Sequence, residues 1–318
     1  GILWHFDDGR RTAIEGTPEV WQRNQGGLLE VQLHPDFARN GWIYLSYSEN
    51  TGARENDKEA GMTAVVRGRI KNGQWTDQET IFTVDEKLHN SSGAHFGSRF
   101  VFQDGYLFFS IGDRGRQQQA QDLDRPNGKI FRLHDDGRIP TDNPFVDTPG
   151  ALPAIWSYGH RNAQGLDIDP ATGLLWETEH GPRGGDEVNL IEKGRNYGWP
   201  TITYGMNYNG TPITHETHRD GMEQPRHYWV PSIAVAGIDF YEGGAFPGWT
   251  GKLLAGGMAS EELHLLTVDD GEVTDDTVIL KSRGRIRDVA NGPDGLIYLL
   301  LNDGSPRKGR IVRMVPAD

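Results

Sequence analysis

Two patterns of apolar and polar positions recur along the chain. The first is a hairpin: a strand alternating apolar and polar residues, a turn, then a mostly apolar strand. It occurs at 28–33 with 42–45, at 99–102 with 106–109, and at 166–168 with 174–176. It returns at 238–241 with 252–254 and across 289–301 around Pro293-Asp294-Gly295. The spacing is roughly 50 to 70 residues, the range of propeller blades that carry loop insertions. The second pattern alternates more strictly, as suits an outer strand with one wet face. Its copies lie at 2–6, 65–70, 130–133, 188–191, 263–266 and 311–314, several ending in an Asp-Asp-Gly or Lys-Gly turn.

Six outer strands against five inner hairpins predict an all-β, six-bladed β-propeller of four-stranded antiparallel blades, a single domain over residues 1–318. The orphan is the outer strand within 1–9, whose inner hairpin is expected upstream of Gly1. Closing a propeller ring removes exposed strand edges, so a missing hairpin would leave a gap. No stretch predicts a long amphipathic helix; 58–63 and 118–123 hold a turn or two at most. Residues 204–228, rich in Gly, Thr and His and without period, predict a long loop.

Composition narrows the function classes. With 42 Gly in 318 residues the chain is built from many tight turns, and nine Trp with ten Tyr suit a pleated core. A net charge of −13 argues against nucleic acid or an anionic membrane surface as partner. The absence of Cys excludes disulfides, zinc-thiolate sites and cysteine nucleophiles. No apolar run is long enough to span a bilayer, and no secretory apolar segment opens the chain. There is no phosphate-binding loop, no dinucleotide fingerprint and no Gly-x-Ser-x-Gly elbow. His215-Glu216-Thr217-His218 has the wrong spacing for a metal helix and lies in the predicted loop.

The candidate chemistry clusters at strand ends. Arg161 and Asn162 precede the third hairpin while His180 and Asp186 follow it, so all four emerge at one rim, as a site wall or as ordinary turn residues. His95 precedes the second hairpin and Asp113 follows it, so the antiparallel pairing brings them to one edge. A carboxylate fixes an imidazole's tautomer and raises its basicity, which a general base needs; a structural hydrogen bond would use the same pair. Gln25, Arg161, Asn162, Arg285 and Arg287 occupy equivalent entries to inner strands, which in a propeller converge on the central channel. Arginines gathered there imply an anionic ligand, or else salt bridges to the Asp residues of neighbouring blades. The Gly181-Pro182 corner can turn carbonyl oxygens inward, and Ca²⁺ accepts such ligands.

Together these stretches resemble the soluble, pyrroloquinoline-quinone (PQQ)-dependent aldose sugar dehydrogenases. The matching segments are GGLLEVQLHPDF, HFGSRFVF with SIGDRG, YGHRNAQGLDIDP, EHGPRGGDEVNLIEKGRNYGWP and RIRDVANGPDGLIY, spanning residues 26–298. The resemblance implies a six-bladed propeller with the quinone across the channel mouth and Ca²⁺ beneath it. It implies His95 as the base that takes the sugar C1 hydroxyl proton, with Asp113 orienting it. Arg161 would sit near the reacting quinone carbonyl, Asn162 would touch the cofactor, and the carbonyls of Gly181 and Pro182 would bind Ca²⁺. Gln25, His180, Asp186, Arg285 and Arg287 would line the quinone. Aldose sugars as substrates, an external electron acceptor and a periplasmic location follow from the same resemblance. The chain departs from the glucose dehydrogenase branch at Gly256-Gly257-Met258-Ala259-Ser260, where that branch places a cofactor-contacting Lys.

Two other function classes use part of the same residues. A Ca²⁺-dependent propeller lactonase would use metal and His without a quinone, normally with side-chain carboxylate and Asn ligands. A non-catalytic sugar- or protein-binding propeller would leave the His95–Asp113 pair and the arginines incidental.

Overall fold

A computed structural model describes residues 1–303 and 309–317. The chain divides into two compact units, Gly1–Tyr158 and Gly159–Asp318.

In the first unit, Leu28–Leu33, Ile43–Glu49, Met62–Lys71 and Gln74–Phe82 form an antiparallel sheet in that order. Phe100–Gln103, Tyr106–Ile111, Lys129–His134 and Ile155–Tyr158 form a second one. The second strand of each sheet is buried on both faces, so it reads as a continuous apolar run rather than an alternation. One core gathers Tyr44, Val65 and Ile81 of the first sheet with Leu107, Phe109 and Phe131 of the second. The Phe109 and Phe131 rings stack at 5.1 Å. Each such fully buried large side chain stabilises by about 1.5–3 kcal/mol. The other face of the first sheet covers a two-stranded hairpin, Leu3–Asp7 with Arg10–Ile14, through Leu3, Ile14, Leu45 and Trp75.

In the second unit, Ala163–Ile168, Leu175–Glu179, Asp186–Ile191 and His227–Trp229 make one sheet. Val235–Phe240, Leu253–Gly257, Glu262–Asp269 and Glu272–Lys281 make the next, and Arg285–Asn291, Ile297–Asn302 and Gly309–Met314 a three-stranded third. Trp176 and Val188 pack on Ile238, Phe240 and Leu253 between the first two sheets. Leu254, Leu263 and Leu265 pack on Ile286, Val289 and Leu299 between the second and third. The turn from Ile168 to Leu175 is set by Asp169, whose carboxylate accepts from the Ala171 N–H at 2.9 Å and the Thr172 hydroxyl at 2.6 Å.

All five predicted inner hairpins form, with their first strands at the sheet edges. The count of six blades is corrected: five sheets have the blade pattern among the described residues, and the outer strand predicted at 2–6 pairs with Arg10–Ile14 as a two-stranded hairpin instead. The predicted outer strands are third strands, and a fourth lies outside each in four of the sheets. Residues 58–63 give a strand pair and part of a long strand rather than a helical turn, whereas Gln117–Gln121 is a short 3₁₀ helix. Among the described residues, no helix is long and apolar enough to cross a membrane.

Each inner strand carries unpaired backbone groups on its free edge. In the second unit a carboxylate answers them: Asp167 accepts from the Phe240 N–H at 2.6 Å, and Asp239 from the Asn291 N–H at 2.7 Å. Burial pushes the Asp167 carboxyl from its ordinary 3.8 up to about 6 and that of Asp239 to about 8. A carboxyl whose folded value is raised holds its proton more tightly folded than unfolded. Its contribution is complete below the unfolded value and is lost as pH rises through the folded one. Urea midpoints of the wild type are therefore expected to carry a component that falls from about pH 4 to about pH 8. Asp239→Asn, neutral throughout, should flatten that dependence; a variant with the wild-type slope would show that Asp239 does not titrate this way.

Candidate active site

In the first unit the loop at 92–98 carries His95 towards the end of the strand Tyr106–Ile111. The His95 Nδ1 lies 2.7 Å from the Asp113 Oδ1, so the predicted pair forms. Asp113 is fully buried and about a fifth of the His95 side chain is exposed. The same Asp113 oxygen accepts from the Gly115 N–H at 2.7 Å, and Asn127 donates to the Asp113 carbonyl at 3.0 Å. With the carboxylate ionised, Nδ1 carries the proton and Nε2 the lone pair. Gln25, expected to line a cofactor, receives the His95 N–H on its Oε1 at 2.7 Å. The loop is strained: φ is +55° at His95, +64° at Gly97 and +91° at Ser98. At Gly97 a Cβ would meet the Gly112 nitrogen at 2.8 Å, so that position requires glycine.

In the second unit Arg161 and Asn162 open the inner strand and are held by Glu179, whose Oε2 accepts both backbone N–H groups. Arg161 is 5% exposed. Its Nη1 donates to the carbonyls of His180 at 2.8 Å and Gly181 at 2.9 Å, while its Nε, also buried, finds no acceptor. Its Cζ lies 5.4 Å from the Trp199 ring. Among the described residues, neither Arg161 nor Arg285 forms an ion pair, so the salt bridges that would have made them structural are absent. Arg285 is half-buried and Arg287 exposed, with the Arg287 Nε 3.4 Å from the Asn302 Oδ1. His180 is half-buried and its N–H donates to the Asn162 carbonyl at 3.2 Å.

Asp186 is buried, which raises its carboxyl above the ordinary value. It accepts from the N–H of Gly181 at 2.9 Å, the N–H of Val235 at 3.0 Å and the Ser232 hydroxyl at 2.8 Å. Its place is therefore behind the Gly181-Pro182 corner, fixing it. That corner is tight: a Cβ on Gly181 would lie 2.2 Å from the Gly184 carbonyl oxygen. Tyr204-Gly205-Met206 packs onto the same corner, with Arg183 and Met206 bridged backbone to backbone. Further along the same loop, Tyr208 is an exposed aromatic.

A buried set of acids adjoins this corner and was unmarked. His160, Glu177 and Glu179 present ligand atoms within 4.8 Å of one another. Asn189 donates to Glu177 at 3.0 Å and Glu187 at 3.2 Å, and the second oxygen of Glu177 has no hydrogen-bond partner. Burial, and then the charge of Glu179, raise Glu177 and Glu187 well above the carboxylate range. A cavity of about 10 Å³, the volume of one water, is lined by Arg161, Glu179, Gly181, Glu187 and Tyr197 among others. The sequence signal was Glu177 and Glu179, two apart on one face of an otherwise apolar strand.

These arrangements define a class: an all-β propeller of four-stranded antiparallel blades, bearing a buried guanidinium and a His–Asp pair at inner-strand ends. The chain belongs to the Glucose / Sorbosone dehydrogenase family, whose model matches residues 1–313. It is 46% identical over 319 residues to Aldose sugar dehydrogenase YliI of Escherichia coli, covering 98% of this chain and 83% of that protein. The crystal structure of the soluble E. coli aldose sugar dehydrogenase in its apo-form superimposes with a TM-score of 0.90 at 44% identity, covering 98% and 89% of the two chains. The PQQ-bound aldose sugar dehydrogenase of Streptomyces coelicolor gives a TM-score of 0.77 at 26% identity, covering 98% and 87%.

The steric argument at the corner is testable. Gly181→Ala is expected to lower stability by about 1–3 kcal/mol in urea unfolding, the ordinary effect of forcing an atom into packed backbone. Gly27→Ala, where a Cβ meets nothing within 4 Å, should stay within about 0.5 kcal/mol of the wild type. Equal effects would mean the corner opens without resistance.

Proposed function

We propose that this chain is a quinoprotein oxidoreductase that oxidises the C1 hydroxyl of aldose sugars to the lactone. PQQ and Ca²⁺ would be its cofactors, an external acceptor would take the electrons, and the periplasm would be its location. The observation that carries the reading is the Arg161 guanidinium. A buried charge without a counter-ion is costly, and donors left over at such a group favour an anionic, acceptor-rich ligand. A tricarboxylated quinone has that chemistry. Membership of the dehydrogenase family and the PQQ-bound relative support the same choice.

When bound, the quinone supplies a two-electron acceptor and Ca²⁺ supplies Lewis-acid polarisation. The residues of the chain do the rest. His95 Nε2 takes the C1 hydroxyl proton, and Asp113, fixed by Gly115 and Asn127, stabilises the imidazolium that results. In the second unit Arg161, with Arg285 and Arg287, would hold the carboxylates and carbonyls of the cofactor, with Asn162 and His180 lining it, while in the first unit Gln25 receives the His95 N–H. The carbonyls of Gly181 and Pro182 hold the metal. The donor set fits a hard cation, and the Gly181 oxygen keeps a lone pair beyond the one that Arg161 occupies. Asp186 acts one step back, holding Gly181 in place.

A second reading, a metal-dependent propeller lactonase, draws on the side-chain donors His160, Glu177 and Glu179. One experiment separates the two. Purified protein with PQQ, Ca²⁺ and glucose is expected to reduce an artificial dye. Lactone hydrolysis without quinone would favour the second reading, and silence in both assays would leave a sugar- or protein-binding propeller. His95→Ala should lower turnover by about 10²–10⁴-fold, as loss of a general base does, while quinone affinity measured by fluorescence titration changes little. Parallel loss of both would make His95 a packing residue.

A further inference from the structure

The imidazole of His95 is aimed by its backbone as much as by Asp113, and the group that fixes this backbone is the residue after Asp113. Building on the reading of His95 as the base, we propose that Arg114 is a positioning residue that clamps the peptide unit preceding His95. Arg114 is fully buried, and among the described residues no carboxylate forms an ion pair with it. Its guanidinium is spent on carbonyl oxygens: Nη1 donates to Ala94, and Nη2 to Ser92 at 2.7 Å and Gly61 at 3.4 Å. Nε makes no hydrogen bond, and the Cζ lies 3.4 Å over the Phe96 ring. The Ala94 carbonyl and the His95 N–H belong to one peptide unit. Arg114 grips its carbonyl end, and Gln25 Oε1 grips its N–H end at 2.7 Å.

With that plane held at both ends and the ring held at Nδ1, the φ of +55° at His95 is the angle that satisfies all three attachments. Release of the plane lets His95 return to negative φ, which swings the ring off Asp113. Arg114 is itself in the left-handed region, at φ +53°, and this turn sends Asp113 to the ring and Arg114 to the loop. Burial draws the guanidinium down to about 9, which leaves it protonated at neutral pH with its donors intact. An ammonium has no planar fork with which to reach Ser92 and Ala94 together while stacking on Phe96.

The test begins on cofactor-free protein, by ¹H–¹⁵N spectra of the histidine rings, with the hydrogen-bonded Nδ1–H of His95 identified by its loss in His95→Ala. In Arg114→Met this resonance is expected to vanish or broaden while far-UV circular dichroism is retained, and Arg114→Lys should not restore it. In the dye assay kcat should fall by roughly 10²-fold, the effect of a misplaced catalytic group, with quinone affinity within about threefold of wild type. Gln25→Ala, at an exposed position, should weaken the same resonance from the other end of the peptide. A folded Arg114→Met protein with the resonance and kcat unchanged overturns the proposal. Should that variant not fold, an unaltered resonance in Gln25→Ala overturns it. Loss of the resonance in Arg114→Met, in a protein whose wild type reduces no dye, would uphold the clamp and sink the sugar-oxidation reading.

Discussion

An edge strand inside a protein must find partners for the backbone groups its own sheet leaves unpaired. Every inner strand here is such an edge. Between neighbouring sheets of the second unit the partner is a carboxylate, one per junction: Asp167 for Phe240, then Asp239 for Asn291, at equivalent places in the repeat. In the first unit Arg99, just before one inner strand, meets Glu30 on the inner strand of the preceding sheet at 2.6 Å. Junctions between the sheets of the second unit thus carry buried acids, and burial is what raises their carboxyls.

The same rule governs the strand ends that bear the candidate site. Glu179 takes the N–H groups of Arg161 and Asn162, and Asp186 those of Gly181 and Val235. These anions are consumed by N–H donors, and the buried cations Arg114, Lys129 and Arg161 are left to carbonyls, whereas Arg132 pairs with Asp142. Lys129 is the plainest case, its ammonium donating to Gln119, Ala120 and Asn127 at 3.1, 2.9 and 2.6 Å. Burial pulls that amine down to about 7, yet all three of its donors are met. An acidic chain of net charge −13 therefore holds guanidinium groups that no carboxylate neutralises.

This division explains what could be read from the residues alone. The inner hairpins were legible because their second strands open on apolar runs such as Leu174-Leu175-Trp176 and their turns carry Gly, Pro and Asp. The fourth strands were not: Glu272–Lys281 mixes polar and apolar residues without alternation and is half exposed, so no period separates it from a loop. The His95–Asp113 pair followed from antiparallel geometry, and Arg161 from its place before a strand. Arg114 and Asp186 act on backbone atoms, which leave no mark in a sequence; Asp186 stood close enough to the rim to be taken for a lining residue. The sixth blade was read from the orphan outer strand at 2–6, which among the described residues pairs only with Arg10–Ile14.

Two buried arginines follow from one constraint but end differently. Arg114 is covered by Phe96 at 3.4 Å with no exposed surface, so its spare Nε has nowhere to turn and its charge serves the loop. Arg161 borders a cavity and keeps a spare donor, its Nε. A guanidinium that holds carbonyls on several sides rigidifies what it holds, and one with a spare N–H keeps a donor that a further acceptor can meet. The frame of carboxylates and N–H groups makes both possible, because it removes from each arginine the counter-ion that would otherwise have occupied it.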